Sequence, residues 1–103
     1  MNNSSIEQPD PITRIVYLEV PPSKVVLLQA YFELYEGLGL VRTLSVRESL
    51  VCVMTTASLL AECLAALGNM REGVGWRFAP LPSEKERLRY LGYFSNAKND
   101  PQV

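Results

Sequence analysis

Apolar and polar positions alternate over Ile12–Val20. Val16, Leu18 and Val20 fall on one side of a strand, and Ile15, Tyr17 and Glu19 on the other. The period then changes. From about Lys24 to Glu36, the polar residues Gln29, Glu33 and Glu36 make one stripe, opposed by Leu27, Leu28, Tyr31, Leu34 and Tyr35, which predicts a helix with Ser23 as its N-cap. Val25, Val26 and Phe32 flank the polar stripe, so the apolar arc is wider than one sheet contact requires. Either the C-terminal segment covers part of it or a second subunit does. Leu40–Arg47 and Leu50–Thr55 return to strand character, and the short turn at Glu48 and Ser49 implies an antiparallel hairpin. Leu50–Thr55 is nearly all apolar, as a central strand would be. A second helix, Ala57–Leu67, is capped by Thr55 or Thr56, buries Leu60, Cys63, Leu64 and Leu67, and stops at Gly68-Asn69. Val74–Ala79 reads as a fourth strand with Val74, Trp76 and Phe78 on one face. Pro80 and Pro82 break it, and Ser83-Glu84-Lys85-Glu86 matches a capping box that opens a short helix to about Leu91.

Two punctuation marks organise this pattern. Glu36-Gly37-Leu38-Gly39 ends the first helix, and Glu72-Gly73-Val74-Gly75 repeats the motif 36 residues later. A glycine pair of this kind can also cradle phosphate, but that geometry needs a strand before the glycines and a helix after them. The order here is reversed. The glycines therefore read as helix stops, and the chain as two copies of a strand–helix–strand unit. The predicted fold is α+β: a ferredoxin-like βαββαβ sandwich, with a four-stranded antiparallel sheet, two helices on one face and a short C-terminal helix. It is expected to occupy residues 12–94 as a single domain, between a disordered tail at 1–11 and a flexible tail at 95–103.

Composition narrows the chemistry. A length of 103 residues suits one modest core. The net charge of −1 supplies no field for nucleic acid or anionic lipid. The absence of histidine removes the commonest general base and metal ligand at neutral pH. Cys52 and Cys63 form no CxxC pair and sit among apolar residues, where a free thiol behaves as a small buried hydrophobe. No signal peptide and no apolar run near the ~20 residues of a membrane span is present. A cytoplasmic protein without metal or cofactor is expected.

The order of elements resembles ferredoxin-like domains of the ACT type. That resemblance implies edge-to-edge pairing into a homodimer or higher homo-oligomer. It also implies an amino-acid-like ligand near the first strand–helix turn and regulation of a partner protein. Val20-Pro21-Pro22-Ser23 occupies that turn, with Ser23 where the family's turn carries glycine and with no aspartate. Tyr35-Glu36-Gly37-Leu38 followed by Val41-Arg42-Thr43 resembles, over roughly residues 12–79, a small bacterial family known only as a domain of unknown function. The candidate ligand-binding residues are Pro22, Ser23, Arg42 and Thr43. Arg42 can bind a carboxylate or phosphate bidentately, or pair with Glu36 or Glu19, or face solvent. The candidate interface residues are Tyr17, Phe32, Trp76 and Phe78. Tyr17, Trp76 and Phe78 placed on an open sheet face would resemble an RNA-recognition surface, but Leu50–Met54 supplies neither the aromatic nor the basic residues that module needs. Three functional readings stay open: a ligand-binding or regulatory module, a purely structural interaction module, and a small enzyme using Arg42, Glu36 or a tyrosine.

Overall fold

The alternating segment and the apolar run become the two central strands of an antiparallel sheet. The computed structural model describes residues 5–90. In chain order they form β1 (Ile6–Glu7), β2 (Thr13–Glu19), a 3-10 turn (Pro22–Lys24) leading into α1 (Val25–Leu34), β3 (Leu40–Ser45), β4 (Leu50–Thr56), α2 (Leu60–Val74) and β5 (Arg77–Phe78). Residues 84–90 form a third helix, α3. β2 and β4 pair from Thr13↔Thr56 to Glu19↔Leu50. β3 lies outside β4, while β1 and β5 both lie outside β2. This is the expected ferredoxin-like arrangement with a C-terminal helix.

The fourth strand position is shared. β5 pairs with the far end of β2, Leu18↔Phe78 and Glu19↔Arg77. β1 pairs with the near end, Ile6↔Val16 and Glu7↔Ile15. The seam is Tyr17: its N–H donates to the Ser5 carbonyl at 2.8 Å and its carbonyl accepts from the Ala79 N–H at 2.9 Å. Pro80 and Pro82 lack backbone donors, so the chain leaves the sheet there. The segment from Ser5 then satisfies the rest of the β2 edge. Ile6 and Glu7 are thus part of the sheet, where residues 1–11 were expected to form a tail; residues 1–4 and the tail at 95–103 lie outside the described residues.

α2 runs past the expected stop at Gly68-Asn69. Its buried stripe, Cys63, Ala66, Leu67, Met70 and Val74, continues at helical spacing beyond that point. Gly68 is on the exposed side, where a Cβ would meet nothing within 4 Å. One exposed glycine costs about 1 kcal/mol relative to alanine, less than burying Met70 and Val74 returns. The helix ends instead at Gly75, which takes φ 77° as a left-handed C-cap while its N–H donates to the Arg71 carbonyl. The extension consumes Val74 and leaves two residues of the predicted fourth strand. At the first punctuation mark, Gly37 takes φ 79°, whereas Gly39 is needed for space: a Cβ there would lie 3.0 Å from Val53 and 3.3 Å from Phe32. The predicted caps differ in part. Ser23 lies inside the 3-10 turn and Lys24 precedes α1, with no side-chain cap bond. Thr56 Oγ1 accepts from the Leu59 N–H, capping the turn before α2.

α1 and α2 cover one face of the sheet. Val16, Leu18, Val20, Val51 and Val53 meet Leu28, Phe32, Cys63, Leu67 and Trp76 there in the main core. The other face carries a second buried cluster of Ile15, Tyr17, Cys52 and Ala79, flanked by Leu44, Leu50 and Met54.

Candidate functional site

The turn after β2 and the β3–β4 hairpin come together because Val20 donates its backbone N–H to the Ser49 carbonyl at 2.8 Å. The hairpin turn spans residues 46–49, two residues wider than the strand pattern implied, both taken from the end of the predicted Leu40–Arg47 strand. Ser49 carries it at φ 59°, and Ser45 Oγ accepts from the Glu48 N–H at 3.1 Å. A register shift between Thr43 and Ser45 bends the end of β3 at the same place. Between these two walls lies a cleft of about 100 Å³, lined by Val20, Pro22, Val25, Thr43, Ser45, Val46, Ser49 and Val51. Among the described residues its walls are aliphatic except for three hydroxyl side chains, and no charged side chain lines it.

Of the four candidate ligand residues, Pro22 and Thr43 line this cleft, and Ser23 sits beside Pro22 in the exposed 3-10 turn. Arg42 does not join them. Neighbouring strand residues point to opposite faces. Thr43 is opposite Val51 on the helix side, and Arg42 is opposite Cys52 on the other. Glu19, one partner considered for Arg42, instead pairs with Arg77 at 2.6 Å in an exposed ion pair. The serines of the hairpin were not singled out by the sequence. Their signal, a Ser-Val-Arg-Glu-Ser stretch too polar for a strand, is visible only once the turn is known to fold back on Val20.

The candidate interface residues are also redistributed. Phe32 and Trp76 are buried in the helix-side core and Tyr17 in the second cluster. None of the three is available at the surface. Trp76 is held there by its indole N–H, which donates to the Leu67 carbonyl at 2.7 Å. Its ring meets Phe78 edge-on at 5.0 Å and lies under the Arg71 guanidinium at 4.7 Å. Phe78 shares the face of Leu18, with nearly half its surface exposed. Tyr17 and Trp76 therefore lie on opposite faces, and the three aromatics form no common surface. The wide arc of α1 is not covered by α3, which lies across the sheet: Val26 and Leu34 are 73% and 79% exposed.

A second polar assembly sits on that far face. Glu7 of β1 accepts from the Tyr17 hydroxyl at 2.6 Å through Oε1, and from Arg87 of α3 at 3.2 Å through Oε2. Burial, followed by the hydrogen bond to Glu7, pushes the Tyr17 hydroxyl well above the usual tyrosine range. Burial likewise raises both thiols, Cys52 to about 12 and Cys63 to about 11. A catalytic thiolate needs the opposite shift, so neither cysteine is an activated nucleophile. Among the described residues, no group of three or more His, Cys, Asp or Glu could hold a metal ion, and no helix is long and apolar enough to cross a membrane.

Residues 18–74 match the sequence profile of the domain of unknown function DUF4911. The chain belongs to this family. The match takes in the far end of β2, the turn, α1, the hairpin and α2, so every residue lining the 100 Å³ cleft falls inside the DUF4911 segment. Glu7, Tyr17 and Arg87 fall outside it. No curated protein and no solved structure matches the chain.

Proposed function

We propose that this DUF4911 domain is a non-catalytic, ACT-like module of the cytoplasm that binds a small amino-acid-like molecule and acts as a homo-oligomer. The supporting observation is the cleft between the first strand–helix turn and the hairpin. A volume of about 100 Å³ is roughly that of three waters at about 30 Å³ each. That suits a short branched aliphatic side chain, which would rest on Val20, Val25 and Val51. The hydroxyls of Thr43, Ser45 and Ser49 would meet the polar end at the rim. Ligand binding there would tie the turn to the hairpin, the two segments already joined through Val20 and Ser49.

The test is thermal stability against a panel of single amino acids. A ligand present at 100 times its dissociation constant adds about 2.7 kcal/mol, readily seen as a rise in Tm. Thr43→Val should abolish that rise without lowering the Tm of the free protein much. A panel with no shift would overturn the ligand reading.

A second reading, a purely structural interaction module, is favoured by the exposed apolar side chains Val26 and Leu34 on α1 and Leu40 and Val46 on the β3 side. Within the described sheet, β3 pairs only with β4 and leaves its outer edge open. Light scattering at two concentrations separates the readings. Ligand-dependent mass favours the first, a ligand-independent oligomer the second, and a strict monomer is against self-association in either.

A further inference from the structure

α3 rests on the second face of the sheet through the ends of its side chains. Arg87 reaches Glu7 at 3.2 Å, and Tyr90 lies beside Glu48 of the hairpin, the two lining the same clefts. Among the described residues, Tyr90 lines two clefts along this seam. One cavity of about 250 Å³ is lined by Leu44, Ser45, Glu48, Arg89 and Tyr90. Another, of about 170 Å³, runs from Glu19 and Leu50 to Pro82, Glu86 and Tyr90. The helix-side core is packed by two long helices, whereas this contact leaves gaps where close packing would supply dispersion energy.

The helix is also separable in the chain. Pro80 and Pro82 hold residues 79–83 in a non-helical tether that is tied to the sheet by the Ala79 N–H donating to the Tyr17 carbonyl. Its capping box is closed in both directions: Glu86 N–H donates to Ser83 Oγ at 3.1 Å, and Ser83 N–H to Glu86 Oε1 at 3.0 Å. These bonds are internal to the segment, so they survive its displacement. At the latch, Glu7 Oε1 keeps the Tyr17 hydroxyl when Arg87 leaves, so detachment orphans no donor on the sheet. The latch residues Glu7, Tyr17 and Arg87 lie outside the DUF4911 match, while β3, β4, α1 and α2 lie inside it.

We infer that α3 is a strap, latched by Arg87 to Glu7, that opens as a unit from the second face of the sheet while the helix-side core stays folded. Opening uncovers an apolar surface made by Ile15, Leu50, Cys52 and Met54. This inference does not rest on the ligand reading of the cleft, although Ser45 of the hairpin lines both the cleft and the larger strap-side cavity.

The two cysteines report on it directly, because Cys52 belongs to the strap face and Cys63 to the helix-side core. The full chain is labelled under native conditions with a maleimide, and the rate at each cysteine is read by mass spectrometry. Subglobal opening exposes Cys52 alone, and global unfolding exposes both. Cys52 is expected to react about tenfold or more faster than Cys63, as a local opening well below the global unfolding energy requires. Arg87→Ala should raise the Cys52 rate several-fold and leave Cys63 unchanged. If that variant does not fold, Tyr90→Ala, which removes the ring shared by the two clefts, serves in its place, and the wild-type ratio stands by itself. Equal rates at the two cysteines, silence at Cys52, or a variant that accelerates both together would overturn the strap.

Discussion

The two faces of this sheet are buried by different means. On the helix side, fourteen of the described residues form one buried cluster, closed by α1 and α2. Its polar atoms point inward to backbone partners, as Trp76 does to Leu67 and Thr55 does to Leu38. On the strap side, four of the described residues form the buried cluster, and the element above them is joined by an ion pair and bordered by two open clefts. One face is stabilised by shape and area, the other by a few directional contacts. Area-based burial resists opening in proportion to the surface it covers, while a latch opens when one bond is lost. The comparison teaches where this domain is rigid and where it can move.

The largest expected effect is on the helix side. Leu67→Ala, at a position with no exposed surface, should cost about 2–5 kcal/mol by urea denaturation. A loss below about 1 kcal/mol, the value of an ordinary surface change, would remove the distinction between the faces. The next effect is alkaline. Burial pushes the Cys52 thiol up to about 12 and the Cys63 thiol up to about 11, and raises the Tyr17 hydroxyl as well. A folded state that holds these protons more tightly is fully stabilised by them below the unfolded pKa, near pH 9 for the thiols. That contribution is lost as pH rises through the folded values. Unfolding free energy should therefore fall from about pH 9 upward, and Cys52→Ala should flatten the fall. A pH-independent stability between 9 and 11 would contradict the burial of both thiols.

Smaller effects sharpen the strap side. Tyr17→Phe leaves Glu7 without its 2.6 Å donor and should cost about 1–2 kcal/mol, measurable by the same denaturation. Gly75→Ala forces a side chain to φ 77° and should cost about 1 kcal/mol. Arg87→Ala should change global stability by less than about 1 kcal/mol, because a part-exposed ion pair is weak after solvent screening. A large global loss there would make α3 part of the cooperative core.

Much of the fold was legible in residue order. The period-two stretch before Val20, the period change at Ser23, the apolar run at Leu50 and the capping box at Ser83 each carry a local physical reason, and each element is present. The end of α2 was misread because Gly68 looks like a stop in sequence. What overrides it is the burial of Met70 and Val74, which depends on a sheet that the sequence does not display. Of the candidate site residues, Pro22 and Thr43 meet in the cleft, whereas Arg42, singled out as the lone charge in its strand, lies on the opposite face, because neighbours in a strand alternate. The aromatics Tyr17, Trp76 and Phe78 were grouped by chemistry, and the sheet divides them.

By itself the sequence determined the local choices: which stretches turn, which alternate, where a cap closes, and that no histidine serves at any site. These follow from steric and hydrogen-bonding preferences acting over a few residues. Only the tertiary structure decided that Ile6 and Glu7 complete the edge β5 abandons. Only it brought Ser49 to Val20, and only it placed Glu7 between Tyr17 and Arg87, 80 residues away along the chain. Such pairings depend on which distant donor and acceptor remain unsatisfied once the sheet has formed, and no local pattern encodes that remainder.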